Sequence, residues 1–533
     1  MADRSQQSDG FRVLVPALPW REGELGHGDR TVRFLQTERR GPLAELRVWA
    51  ETADGVLEAL AEAGFPVLGD GPRGGAGVPG GPRIRSASAP ERSELPELPE
   101  SPDWWPTEPV WPGGEGAAGA PPDLLVSKAA QRAIERGHPW LRPDPGCGDP
   151  SVFAPGTLVR LHTGRGRAMN PVGLAFVEGQ GEVAARVWGR GARRPREVPS
   201  VEARVARALA ARRSFLAPGA ETDVYRLIHG EADGLPGWFV DRLGTRLRAV
   251  VTTRALEPLA ERIHAALRSQ LAGVLGPDPA IVEVLCLRPR PAGRLVAVRR
   301  VSGPAFDEPF LVRERGLRFQ VETGLAEPLR PHPGFGLFPD MRENRALAAR
   351  RAAAGGRWLN LFAHTGAFSA ALLAGGADSV VSVDLSAPYL ERLEANLERN
   401  GLLGPRHAAH RSDGRRYLER LARGERFAGI VLDPPTAAAA GRRFWSVPRD
   451  LEPMLELALS HLEPGGWLLV ARNDRIGRGG ARRLEQAVRR AALGASVALA
   501  QIADAPPGPD FPRLPHFPEG DPFRAVWVRR ASP

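Results

Sequence analysis

Three acids in the last third of the chain stand where a ligand could meet them. Asp384 closes the β-rich run Val380-Val381-Ser382-Val383, Asp413 precedes Gly414, and Asp433 closes the apolar run Phe427–Leu432 and opens Asp433-Pro434-Pro435-Thr436. A carboxylate at a strand end can accept hydrogen bonds from a ribose hydroxyl pair or from a base amino group. The first acid has a partner element. Trp358-Leu359-Asn360-Leu361-Phe362 has strand length, Thr365-Gly366 makes a tight turn, a small-residue helix follows, and the unit ends at Asp384. Strand, turn, helix and strand over about thirty residues are what a parallel crossover requires. A glycine in the first turn admits a ligand to the helix N-terminus, and an acid roughly 20 residues later suits a ribose. The pattern therefore predicts a nucleoside-bearing ligand. The three-glycine phosphate cradle is absent, which disfavours a dinucleotide.

Other chemistries find no support in the residues. Cys147 and Cys286 are the only cysteines and lie far apart, so neither a disulfide framework nor a cysteine metal site is expected. His138, His332, His364 and His516 are scattered without metal-ligand spacing, and no metal is expected. There is no Gly-x-Ser-x-Gly elbow and no phosphate loop with its lysine.

The elements that position the acids belong to a long chain. At 533 residues it is too long for one core. A net charge of +10 and a pI near 10.7 favour a polyanionic partner. Lys128 is the single lysine among many arginines, and GC-rich coding would give the same bias, so both readings of the charge stay open. No apolar run is long enough to cross a bilayer and the N-terminus is polar; no membrane partner and a cytoplasmic location are expected.

Read in order, the chain divides into five. Residues 1–72 read as a small α+β appendage with strand-like runs at Thr31–Leu35 and Leu46–Trp49 and a helix over Gly55–Ala63. Its closing phrase, Gly64-Phe65-Pro66-Val67-Leu68-Gly69-Asp70, resembles the tail of the large pseudouridine synthases, without their catalytic Arg-Leu-Asp signature. Residues 73–122 are rich in Gly, Pro, Ser and Glu and read as a flexible linker, interrupted by Trp104-Trp105-Pro106. Residues 123–195 have the texture of a small β-barrel, with runs at Thr157–Leu161, Gly173–Val177 and Val183–Trp188. The phrase Gly137-His138-Pro139-Trp140 resembles the opening of PUA domains, which are RNA-binding barrels. Residues 196–322 read as a central α+β domain. Its phrase Arg226-Leu227-Ile228-His229-Gly230-Glu231-Ala232-Asp233-Gly234-Leu235-Pro236-Gly237 closely resembles the signature linking the PUA and catalytic domains of cytosine-5 rRNA methyltransferases. Residues 323–533 open with a phrase matching that family, Gly334-Phe335-Gly336-Leu337-Phe338-Pro339-Asp340-Met341-Arg342-Glu343-Asn344-Arg345. In the helix that follows the first crossover, Leu390, Leu393 and Leu397 share one face and Glu391, Glu394 and Glu398 another.

With these motifs in order, the last domain resembles a class I S-adenosylmethionine methyltransferase. The resemblance implies an α/β doubly wound Rossmann-like sheet preceded by the PUA-like barrel and the central domain. It implies S-adenosyl-L-methionine as cofactor, held by Asn360, Phe362, His364, Thr365, Gly366, Asp384, Leu385, Asp413, Gly414 and Asp433. Thr365-Gly366 would face the methionine part, Asp384 the ribose and Asp413 the adenine. RNA, 23S rRNA in the family, would meet His138, Trp140, Arg226 and Arg342, although Arg342 and Arg345 could equally cap and pair on their helix in place of meeting phosphate.

The reaction is a separate question. Cytosine-5 transfer needs a thiolate that adds to the ring, and in that family the cysteine lies just after the fifth strand. Here that place holds Arg472-Asn473-Asp474-Arg475, and no cysteine follows Cys286. The phrase resembles instead the guanine-N7 methyltransferase module of bacterial 23S rRNA. That resemblance implies transfer to a guanine nitrogen, N7 or N2, with Asp433, Pro434, Pro435, Thr436 and Asn473 as the catalytic set and Phe444 or Trp445 stacking the base. Ala437 departs from the pattern, since the family has phenylalanine after Asp-Pro-Pro-Thr. The rival expectations are a cytosine-5 rRNA methyltransferase and a non-catalytic RNA-binding assembly factor.

Overall fold

The computed structural model describes residues 10–16, 22–27, 30–40, 43–49, 84–87 and 121–532, except 143, 165, 167–168, 180–181, 192–197, 288–294, 326–334, 436, 441–442 and 474–479. The described chain divides into two compact units. One contains residues 1–208, 230–240 and 246–305, the other 209–229, 241–245 and 306–533. Residues 209–229 and 306–322, which the sequence reading gave to a central domain, thus group with the last two hundred residues.

In the first unit, Gly10–Pro16, Glu22–His27, Arg30–Arg40 and Leu43–Trp49 form antiparallel pairs. Ile84–Ala87, inside the stretch read as a linker, is a strand paired with Gly10–Val13. The expected helix at 55–63 and Trp104-Trp105 lie outside the described residues. Further along, Arg246–Val251 runs parallel to Ala280–Leu287, with the helix Ala260–Leu275 as the crossover, and Leu295–Ser302 adds an antiparallel strand. Residues 123–190 form a five-stranded sheet in the order Asp123–Leu125, Leu158–Thr163, Asn170–Val177, Ala185–Arg190 and Trp140–Leu141. Its two end strands are not paired with each other, so the pairing among the described residues gives a sheet and not a closed barrel. Val159, Leu161, Val172, Ala175 and Val177 supply its core beneath Ile134 of the helix Lys128–Glu135.

The second unit holds the seven-stranded sheet that positions the three acids. Its strands are β1 (Arg357–Leu361), β2 (Ser379–Asp384), β3 (His407–Arg411), β4 (Phe427–Leu432), β5 (Leu462–Asn473), β6 (Leu499–Asp504) and β7 (Phe523–Arg530), ordered 3-2-1-4-5-7-6. The first five run parallel and β7 is antiparallel to both neighbours. The helices are α1 (Arg342–Ala352), α2 (Ala367–Gly375), α3 (Ala387–Arg399), α4 (Gly414–Arg420), α5 (Val447–Ser460) and α6 (Gly480–Gly494). Helices α1, α2 and α3 pack on one another, as do α4, α5 and α6. Right-handed crossovers leaving β1 in opposite directions place the two groups on opposite faces. The strand order reverses between β1 and β4, and ligands of such sheets bind outside the carboxyl ends there.

Local chemistry explains the elements. On α3, Ser386 caps the N-terminus by accepting from Tyr389 N, and Leu390, Leu393 and Leu397 are buried as their spacing predicts. The central strands are largely apolar because both faces are covered: Leu359, Leu361, Ile430, Leu432, Leu468 and Val470 all sit in the core. Gly429 on β4 lies against the ring of buried Trp358, and a Cβ there would overlap that ring. Gly429→Ala is therefore expected to destabilise the protein by about 1–3 kcal/mol through overpacking, read as a lowered midpoint in chemical denaturation.

Candidate active site

The turn after β1 is the most constrained backbone in the second unit. Phe362 and His364 adopt φ of 57° and 49°, a left-handed conformation that costs non-glycine residues energy. Gly366 follows at φ 83° and begins α2, and a Cβ on it would overlap Leu393. Three bonds hold the turn: Ala363 N donates to Val383 O at 3.0 Å, Gly366 N to Ala363 O at 3.0 Å, and His364 N to Asp384 Oδ2 at 2.9 Å. The other oxygen of Asp384 accepts from Ser386 N at 2.9 Å. Asp384 is thus oriented by two backbone donors, and each oxygen keeps a lone pair for a hydroxyl.

Around this turn stands an apolar and aromatic rim. Leu385, Phe338 and Tyr389 are exposed at 43%, 44% and 38%, unusual for large apolar side chains. The ring of His364 lies between Phe338 at 5.4 Å and Tyr389 at 4.2 Å. Burial pushes the His364 imidazole down to about 4, so the ring is neutral at pH 7. The donor set suits a nucleoside: a carboxylate for hydroxyls, a glycine-backed helix start and exposed apolar surface for a base. Asp413 caps α4, with Oδ1 accepting from Arg416 N at 3.0 Å, and a Cβ on Gly414 would come within 2.9 Å of the flexible end of Met454.

Two of the proposed cofactor residues face elsewhere. Asn360 is buried and donates to Ser369 Oγ at 2.9 Å, the start of a polar chain through Ser382 to His407 Nε2. Burial drives the His407 imidazole down to about 4, which keeps that chain neutral. Thr365 is buried as well; its hydroxyl donates to Gly336 O and its carbonyl accepts from Asn396 Nδ2 at 3.0 Å. Both residues shape the turn from behind.

Asp433 ends β4 and is half-buried, Pro434 is buried and Pro435 exposed. Burial pushes the Asp433 carboxyl up to about 7, helped by the neighbouring Asp340 carboxyl and opposed by Arg345. Directly after comes a hairpin that the alanine run did not suggest, Ala437–Ala440 paired with Arg443–Ser446. Asn473 ends β5, opposite Phe523 of β7. Thr436 and the side chains of Asn473, Phe444 and Trp445 lie outside the described residues.

The arginines expected to meet RNA are committed to protein. Arg342 is fully buried and donates to both oxygens of Asp510, at 3.2 and 2.5 Å. That closes it to a phosphate, so the RNA assignment of Arg342 is corrected to a structural ion pair. Arg226 binds Asp241 Oδ1 at 2.6 Å and leans on the Phe511 ring at 5.1 Å. In the first unit, Trp140 Nε1 donates to Glu231 Oε1 at 2.7 Å, and Arg186 bridges Glu231 and Glu178, each at 2.5 Å. The Gly-His-Pro-Trp and Gly-Glu-Ala-Asp phrases are thereby joined in one half-buried network. His138 Nδ1 lies 3.1 Å from Trp140 O and 3.2 Å from Trp140 N. Phe338, Tyr389 and Asp340 were not picked out as site residues. An exposed aromatic early in α3, just past Asp384, was the available signal for Tyr389.

Comparison with known proteins speaks to the family and the fold. The sequence profile of the S-adenosylmethionine-dependent methyltransferases matches residues 238–518. A ribosomal RNA large subunit methyltransferase I from Klebsiella pneumoniae is 30% identical over 366 residues, 66% of this chain and 84% of that protein. A ribosomal RNA large subunit methyltransferase from Deinococcus radiodurans is 30% identical over 362 residues, 65% of this chain and 83% of that protein. Among solved structures, an S-adenosylmethionine-dependent methyltransferase from Streptococcus mutans superposes with a TM-score of 0.61 at 20% identity, covering 76% of this chain and all of that one. Another methyltransferase, complexed with SAH, gives 0.63 at 21% identity over the same shares. These structural likenesses show the fold.

If Asp384 holds the ribose, Asp384→Ala is expected to weaken S-adenosylhomocysteine binding about 10- to 100-fold, the worth of hydrogen bonds to a charged acceptor. Calorimetric titration reads this directly, and an unchanged Kd would remove Asp384 from the site.

Proposed function

Because this chain belongs to the S-adenosylmethionine-dependent methyltransferases, we propose that it methylates large-subunit ribosomal RNA at a guanine nitrogen, N7 or N2, without a covalent enzyme–base adduct. The RNA substrate is supported by the names of relatives covered over more than four-fifths of their length, and by the basic charge of the chain. The observation that carries the choice of base is the strand end without a thiol. Arg472-Asn473 end the fifth strand, Asp474-Arg475 come next in the sequence, and Cys286, buried on Ala280–Leu287, is the last cysteine of the chain. Carbon 5 of a pyrimidine becomes nucleophilic only after a thiolate adds to the ring. A guanine ring nitrogen needs no such help.

When bound, S-adenosylmethionine supplies an electrophilic methyl group on a sulfonium. The work left to the chain is to hold the base in line with that methyl and keep water away, which is a proximity effect. Asp433, Pro434, Pro435, Thr436 and Asn473 are proposed to face the base, with the hairpin after Thr436 as a wall. The base must leave its stack to reach them. For N2 a proton leaves the amino group, and a carboxyl near pH 7 at Asp433 is suited to take it. For N7 no proton moves, and Asp433 acts as an acceptor only. RNA is proposed to approach the five-stranded sheet at His138 and the ring of Trp140, since the Trp140 N–H is already bound.

Mass mapping of ribosomal RNA from a deletion strain tests the reading. One methylguanine is expected to disappear from the large subunit; unchanged modification would sink the rRNA assignment, and a lost 5-methylcytosine would overturn the thiol argument. Cys286→Ser is expected to keep wild-type turnover on the same RNA.

A further inference from the structure

The segment ahead of α1 carries an acid that the site so far has not used. Asp340 lies in the short turn Pro339–Met341, and that turn is fixed on several sides. Arg345 Nη2 donates to Phe338 O at 2.8 Å while Glu314 holds the same guanidinium by two bonds of 2.6 Å. Thr365 donates its hydroxyl to Gly336 O, and Arg342 is anchored on Asp510. The Asp340 carboxyl takes part in none of these bonds. Among the described residues, no side chain donates a hydrogen bond to Asp340 or to Asp433, and both residues are half-buried. The charged groups around Asp340 are Arg345, Arg226 and Asp241, and those around Asp433 are Asp340 and Arg345. Both arginines are already bound, Arg345 to Glu314 and Arg226 to Asp241. Apart from the backbone N–H of Asp340 itself, which bonds its own carboxyl, the two have no hydrogen-bond donor among the described residues; neighbouring carboxyls without side-chain partners are costly for a fold to keep and point to a functional site.

We propose that Asp340 is a specificity-determining residue, acting with Asp433 as a two-carboxyl clamp that accepts hydrogen bonds from the N1–H and amino N–H of a guanine. The inference rests on the reading that guanine in RNA is the substrate. Guanine presents two adjacent donors on its Watson–Crick edge beside the O6 acceptor. Adenine and cytosine present one amino donor beside a ring acceptor, and uracil a single N–H. Burial raises both carboxyls, Asp433 to about 7, so near neutrality the pair can also hold a proton for O6. As the base takes the methyl, positive charge develops on it, and carboxylates at its edge stabilise that charge in place.

The test uses the full-length protein on large-subunit rRNA transcribed in vitro, comparing wild type, Asp340→Asn and Asp340→Glu from pH 5.5 to 9. Asparagine keeps the shape of the side chain and loses an acceptor and a charge. Asp340→Asn is expected to lower kcat/KM about 10- to 100-fold. Its rising limb near pH 7 should move to lower pH, because a negative neighbour no longer holds the Asp433 proton. Asp340→Glu should recover part of the rate. The melting temperature and the calorimetric Kd for S-adenosylhomocysteine should stay at wild-type values. An Asp340→Asn enzyme with wild-type turnover and an unmoved limb overturns the inference. So does one whose melting temperature falls, or whose cofactor Kd rises, in step with the loss of turnover. Wild-type protein that methylates another base, or none, overturns the functional reading instead.

Discussion

The second unit depends on one buried ion pair. Asp510, with no solvent exposure, accepts two bonds from Arg342, a third from the backbone N of Arg226, and offers its own carbonyl to Arg212 Nη2 at 2.8 Å. Those partners come from the strand Val224–His229, the start of α1 and the turn at Arg212, while Asp510 itself lies in the loop before β7, so segments far apart in the chain meet here. A buried charge that loses its partner costs about 3–5 kcal/mol, so none of the segments can drift without stranding a guanidinium or a carboxylate. Glu314 does the same for Arg345 one helical turn on. Together they fix the segment that leans on the turn after β1.

Against that frame the three strand-end acids have different degrees of freedom. Asp384 is held by two backbone N–H groups and presents a finished surface. Asp413 gives one oxygen to a helix N-terminus. Asp433 is given nothing, and its carboxyl rises accordingly. Preorganised acceptors suit a ligand that is always the same. An acid left without partners suits a group that arrives and leaves.

Much of this arrangement was legible in the sequence, for physical reasons. The Trp358–Asp384 unit announces itself through local patterns: an apolar strand, a glycine that must take a positive φ, and an acid at the next strand end. The leucine stripe of α3 follows the same 3.6-residue logic. What escaped was non-local. Four alanines in succession have little strand propensity, and Ala437–Ala440 becomes a strand by pairing with Arg443–Ser446. Ile84–Ala87 hid within a Gly/Pro-rich stretch for the same reason. Arg342 looked like a phosphate ligand because charge says nothing about burial, and its partner lies 168 residues away. Asn360 was placed against the cofactor by its position, whereas its side chain faces the core.

The strained turn after β1 has a consequence for the order of events. Phe362 and His364 are held in the left-handed region by neighbours that belong to the folded sheet. The shape of the turn is therefore set when the sheet is set. A seat fixed in this way lowers the conformational penalty that a small ligand meets, so the folding of the sheet prepares the site before the ligand arrives.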